Sequence, residues 1–102
     1  MSGTEDLAKD YRVAFLHYLS RRDETALHRG YELGRGAFGN RVSVLELGRM
    51  HHEVLLDVLR DTPTDELPSA AAGASEFLLA VLSTFDLAQR AYLDGLTHSP
   101  SV

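Results

Sequence analysis

Residues 42–60, VSVLELGRMHHEVLLDVLR, constrain this chain more than any other stretch. Ser43 and Glu46 form an S-x-x-E capping box, in which the hydroxyl and the carboxylate satisfy backbone N–H groups that the first turn of a helix leaves unpaired. A helix therefore starts there. At about 100° per residue, Val44, Leu47, Gly48, His51, Val54, Leu55, Val58 and Leu59 share one face. Glu46, Arg49, Glu53, Asp57 and Arg60 lie opposite, and Leu45, His52 and Leu56 form a second apolar stripe beside the first. A helix so patterned has to bury its main stripe on other helices, with His51 carried inside. That pattern predicts an all-α fold.

The rest of the chain supplies the partners. Residues 1–3 read as a disordered lead, after which Thr4 can cap a first helix whose first turn holds Glu5 and Asp6, acids suited to the positive end of the helix dipole. Leu7, Ala8, Tyr11, Ala14, Phe15, Tyr18 and Leu19 share its inner face, while Val13 and Leu16 fall off it. Arg21 and Arg22 complement its C-terminus and Asp23 caps the next helix, so the two helices are expected to be antiparallel neighbours. The second helix buries Ala26, Leu27, Gly30, Tyr31, Leu33, Gly34, Ala37 and Phe38. Ala26, Gly30 and Gly34 recur every four residues, and each interior glycine costs about 1 kcal/mol relative to alanine, so another backbone is expected to approach closely there. Gly39–Asn40 is the expected left-handed stop.

Residues 61–69, DTPTDELPS, form the longest connection, where Pro63 and Pro68 break helicity and Thr64 or Ser69 can cap the final helix. That helix turns Ala70, Ala74, Phe77, Val81, Thr84, Phe85, Ala88 and Tyr92 inward. Its other side carries Leu79, Leu82 and Leu93 near Asp86 and Arg90, which is too apolar for a face left in water. Residues 97–102 read as a polar tail. The expected architecture is a four-helix up-and-down bundle in a single domain over residues 1–102, with helices at about 4–20, 24–38, 43–60 and 69–95.

At 102 residues a second domain does not fit, and a chain of this size buries only about two thirds of its unfolded surface, so a monomer is only moderately stable and pairing with a second copy would help. The net charge of −5 opposes binding to nucleic acid or to anionic lipid. The absence of cysteine removes disulfides, thiolate nucleophiles and sulfur ligands. No signal peptide is evident, and the longest apolar run, residues 77–82, is too short to span a bilayer, so the expected location is the cytosol.

The side chains that could carry chemistry point away from catalysis. His17, His28, His51, His52 and His98 suggest a metal, but a helical di-iron site needs Glu-x-x-His pairs on facing helices and there are none. Adjacent His51, His52 and Glu53 project about 100° apart and cannot share one ion. His51 is better read as a core histidine bonded to a backbone carbonyl or a tyrosine. GRGAFGN lacks the preceding strand and Gly-Lys-Ser/Thr ending of a phosphate loop. VSVLELGRM resembles the opening of a helix-turn-helix, but Glu53 and Asp57 stand where a recognition helix needs basic or amide groups. Asp65–Glu66 reads as a solvated turn, and no hydroxyl–histidine spacing makes a triad. The expectation is no enzyme, no cofactor, no metal and no small-molecule substrate. Met50-His51-His52-Glu53-Val54 also echoes the phosphoacceptor helix of sensor kinases, and the alternative reading is a phosphoacceptor or dimerisation helix domain with His52 as acceptor.

In order along the chain, Tyr11 through Tyr18-Leu19, Glu24-Thr25-x-Leu27, Tyr31-Glu32-Leu33-Gly34-Arg35, Val42-Ser43-x-Leu45-x-Leu47, Met50-His51-His52-x-x-Leu55, and Phe77-Leu78 through Phe85 to Tyr92 resemble the N-terminal regulatory domain of RsbU-type serine phosphatases. The resemblance implies a dimeric four-helix domain that receives a kinase-like switch protein of the RsbT kind and so activates a C-terminal phosphatase in general stress signalling. The phosphatase and its metal-binding aspartates have no counterpart here. The resemblance further implies docking on the start of the second helix and the middle of the fourth, at Glu24, His28, Leu79 and Ser83. His28 and Ser83 are polar where family members offer larger apolar or aromatic groups.

Overall fold

Each turn in this chain has a local cause, and together the turns fold residues 3–97, the part described by the computed structural model, into a helical bundle. The helices are α1 (Gly3–Arg21), α2 (Glu24–Gly39), α3 (Val44–Asp61) and α4 (Leu67–Thr97), with a 3-10 turn over Thr64–Glu66. α1 already includes Gly3, so Thr4 lies inside its first turn and not ahead of it. The expected tail beyond Thr97, with His98, and the first two residues of the lead fall outside the described residues.

Asp23 caps α2 by accepting the Ala26 N–H at 2.8 Å, and Ser43 and Glu46 close both arms of the predicted capping box on α3, at 3.1 and 3.0 Å. Between them the stop differs from the sequence reading. Gly39 and Asn40 are not left-handed. Arg41 is, at φ 61°. The Arg41 N–H bonds back to the Phe38 carbonyl at 3.1 Å and the Val42 N–H to that of Ala37 at 2.9 Å, a Schellman ending. Burial of Val42 against the core accompanies it and offsets the cost of about 1 kcal/mol of a left-handed non-glycine residue.

The fourth helix also departs from expectation. It begins at Leu67, so Pro68 sits in the first turn, where its missing N–H is not needed, and Ser69 is not its cap. The Ser69 carbonyl and hydroxyl instead accept from Arg22 at 3.1 and 3.3 Å. At 31 residues α4 is roughly 46 Å long, well beyond its neighbours. By length and composition it could cross a bilayer, contrary to the reading from its short uninterrupted apolar run. Here its inner face, Ala74, Phe77, Val81, Thr84 and Phe85, is buried in the bundle.

Helix direction alternates along the chain, yet α2 packs most extensively on α4, and parallel to it, while α3 packs on α1 and α4. The small-residue stripe explains this. A side chain added at Gly34 would overlap the Val81 carbonyl and the Thr84 hydroxyl, and one at Gly30 would press on Phe77 at 3.2 Å. The Thr84 hydroxyl donates to the Tyr31 carbonyl at 2.6 Å across the same contact. Above it Phe77 meets the rings of Tyr11, Phe15 and Tyr18 at 5.3, 5.4 and 6.1 Å.

On α3 the buried face is turned from the predicted one. Leu47, Met50, His51 and Val54 are buried, whereas Val44 and Gly48 are exposed. The flanking stripe of Leu45, His52 and Leu56 is exposed, as expected of a face outside the core. His51 is the expected core histidine. The Tyr11 hydroxyl and His51 Nδ1 are hydrogen-bonded at 2.8 Å. Burial, and secondarily the neighbouring His52, lowers the pKa of His51, and burial raises that of Tyr11.

These contacts make two tests possible. Gly34→Ala should lower the unfolding free energy by at least about 2 kcal/mol, because backbone must move. Gly36→Ala, which meets open space, should raise it by about 0.5–1 kcal/mol. Urea titration of both variants checks the contrast. The folded protein binds the His51 proton more weakly than the unfolded chain, whose value is near 6.5, so this contribution is complete above that pH and is lost progressively as pH falls from there through the lower folded value. Urea midpoints should therefore fall between pH 7 and pH 5.5 in the wild type. They should change less in Tyr11→Phe/His51→Leu, which removes both hydrogen-bonding partners together.

Candidate partner-binding surface

The residues singled out by the resemblance lie on α2 and α4, and the close approach of these helices determines which of them meet. Leu79 is 64% exposed on the outer side of α4, and Ser83 comes one turn later. Together with Leu27, Tyr31, Glu76 and Ala80 they line a shallow groove between the two helices. Ser83 commits its hydroxyl to the Ala80 carbonyl of its own helix at 2.8 Å, so it offers little to a partner. Glu24 and His28 are exposed on the first two turns of α2, beside this groove and not in its lining. The His28 ring lies edge-on to Tyr31, with centroids 6.4 Å apart, and so joins the polar end of α2 to the groove.

Leu27 and Tyr31, core residues by helical phase, are half-buried at the edge of that face. Their i, i+4 spacing puts them in line along α2, but their role as groove wall depends on α4 lying parallel to α2. Nothing in the sequence pattern singles out Glu76 either. Its carboxylate accepts from Tyr18 at 2.8 Å and from Arg22 at 3.0 Å, which ties the end of α1 to α4 and leaves the groove floor apolar. The groove can therefore take an apolar side chain or a helix edge, with Glu24 and His28 at one rim.

The outer side of α4 bears more apolar surface than helical phase predicts. Leu82 is half-buried, Leu93 is exposed as expected, and Leu87 and Leu96 are exposed as well. Tyr92, expected inward, is exposed on a turn that has passed the end of the core, although its ring still meets Phe38 at 6.0 Å. Asp86 and Arg90 pair within the helix at 2.8 Å.

The histidines stay apart. His51 is buried while His52 is exposed on the flank of α3 next to exposed Glu53. Among the described residues no three His, Asp or Glu side chains converge as a metal site would require. Arg12 bonds Asp57 across α1 and α3 at 2.6 Å, and that hydrogen bond holds the carboxyl below its ordinary range. Being exposed, the pair serves alignment more than stability.

The family model for the N-terminal domain of phosphoserine phosphatase RsbU matches residues 9–88. No curated protein and no solved structure matches the chain. The matched segment starts in α1, takes in α2 and α3 whole, and ends in α4 three residues past Phe85. It covers well over half of the 102 residues, and the chain therefore belongs to the family of N-terminal regulatory domains of RsbU-type serine phosphatases.

Proposed function

We propose that this chain is a cytosolic, non-catalytic signalling domain that self-associates and binds a kinase-like switch protein of the RsbT kind in a stress-response partner-switching pathway. The observation that carries the reading is the family match over residues 9–88, which reaches into all four helices. Two features of the surface support a protein partner over a small molecule. Leu79 stands outward over an open groove floored by Leu27, Tyr31 and Ala80, which suits a protein edge. Two polar residues of the groove lining are already bonded within the domain, Ser83 to Ala80 and Glu76 to Arg22 and Tyr18, so neither is free to orient a substrate.

In this reading Leu79 is the anchor, Glu24 and His28 form a polar rim, and Ser83 is a polar gap in the apolar floor. An apolar anchor at the centre of a docking face carries more of the affinity than its rim. Titration calorimetry with the cognate switch protein tests the assignment. Leu79→Asp should weaken binding at least about tenfold, the equivalent of roughly 1.4 kcal/mol, without loss of helicity. Ser83→Leu should strengthen it by extending the apolar floor. Unchanged affinity in both variants would remove this face as the docking site, and a switch protein that does not bind the wild type at all would remove the proposed partner.

A further inference from the structure

We propose that the cleft between the end of α2 and α4 binds a small aromatic carboxylate. The Arg41 guanidinium takes the carboxylate, and the rings of Phe38, Phe85 and Tyr92 take the aromatic body. The site is separate from the docking face and does not depend on it.

Among the described residues two that are not glycine hold a left-handed backbone, Arg22 at φ 54° and Arg41 at φ 61°. Both are arginines that follow a helix. For Arg22 the side chain accounts for the residue. It donates to the Ser69 carbonyl at 3.1 Å and to Glu76 at 3.0 Å, and it lies over the Tyr18 ring at 5.8 Å. Arg41 has no such use, because its guanidinium makes no hydrogen bond, ion pair or ring contact among the described residues. Its backbone bond to Phe38 and the burial of Val42 explain the left-handed turn, but glycine makes that turn without steric cost. They explain the conformation and leave the arginine unexplained.

What the arginine adds is a charge beside an aromatic cleft. Phe38, Gly39, Arg41, Val42, Phe85 and Tyr92 line a space of about 470 Å³, within the size range of small-molecule sites. Buried Val42 and Phe85 form its floor, and half-buried Phe38 and exposed Tyr92 its sides. Phe38 stands edge-on to Phe85, with centroids 5.6 Å apart, and at a steep angle to Tyr92 at 6.0 Å. A side chain at Gly39 would meet only open space, so nothing in the bundle fills the cleft from that side.

The chemistry of this lining specifies the ligand. Three rings favour a flat apolar body that can stack or meet them edge to face. The polar groups on offer are donors, the planar fork of Arg41 and the Tyr92 hydroxyl, which is likewise without a partner among the described residues. A guanidinium fork matches a carboxylate in shape and balances one negative charge, so a monoanion is preferred to a phosphate dianion. Asp86, next to Phe85 in sequence, is already held by Arg90 at 2.8 Å and does not take the Arg41 charge.

Indole-3-acetate is a suitable probe, and amide NMR correlation spectra of the full chain show where it binds. The chain has no tryptophan, so every indole signal belongs to the ligand. Titration should shift the amides of residues 38–42, Phe85 and Tyr92 saturably, with a Kd at or below about 1 mM. Neutral indole-3-acetamide should bind at least about tenfold more weakly. Arg41→Gly suits the left-handed backbone, so it should resist urea at least as well as the wild type and yet lose the preference for acid over amide. Tyr92→Ala, which removes a ring 58% exposed, should weaken both probes together. Equal binding of acid and amide by the wild type, or a preference kept in Arg41→Gly, would overturn the role of the guanidinium. The absence of saturable shifts, or shifts confined to the groove of Leu27, Tyr31 and Leu79, would overturn the cleft as the site.

Discussion

The close approach of α2 and α4 is the constraint on which the rest of the bundle depends. Gly34 lies against the Val81 carbonyl and the Thr84 hydroxyl, and the Thr84 hydroxyl is bonded to the Tyr31 carbonyl at 2.6 Å. With the two backbones this near, Phe77 is held above Gly30 at the height where it meets the three aromatic rings of α1. The same geometry opens the shallow groove on the outer side and directs the long end of α4 away from the core. Core and surface are thus set by a few atoms that no larger residue would allow to meet.

Polar groups inside this core pin helices in register. Tyr11 and His51 join α1 to α3 at 2.8 Å, and Tyr18, Glu76 and Arg22 join the end of α1 to α4. Among the described residues no buried side-chain nitrogen or oxygen lacks a partner. Sliding a helix by one turn would break these bonds and leave a phenol or an imidazole unsatisfied, a loss of about 1–3 kcal/mol for each group. Apolar contacts alone penalise such a slip less, because leucine and alanine can repack against many neighbours.

Much of this is legible in the residues themselves. The Ser43–Glu46 capping box, the Asp23 cap, the inner face of α1 and the need for close approach at Gly30 and Gly34 all come from local chemistry and helical phase. The departures have tertiary causes. The α3 face rotates toward Met50 and away from Val44 because that helix packs on α1 and α4, which a helical wheel cannot supply. At the end of α2 the left-handed residue is Arg41, where burial of Val42 outweighs glycine preference, and Pro68 sits in the first turn of a helix that its ring is expected to exclude. At the candidate surface, outward Leu79 can be read from its phase, but the groove walls Leu27 and Tyr31 cannot, since they become a wall only when α2 and α4 lie parallel.

The separation in sequence between α2 and the helix it leans on has a consequence for how the chain acquires structure. Tyr31 and Thr84 are 53 residues apart, and α1 and α3 offer α2 no surface that accepts its small-residue stripe as closely. A helix that carries interior glycines is weak in isolation. During synthesis from the N-terminus, α2 therefore remains without its principal support until α4 has been made. Docking of α4 is then a late, non-local event that locks the bundle in one cooperative step.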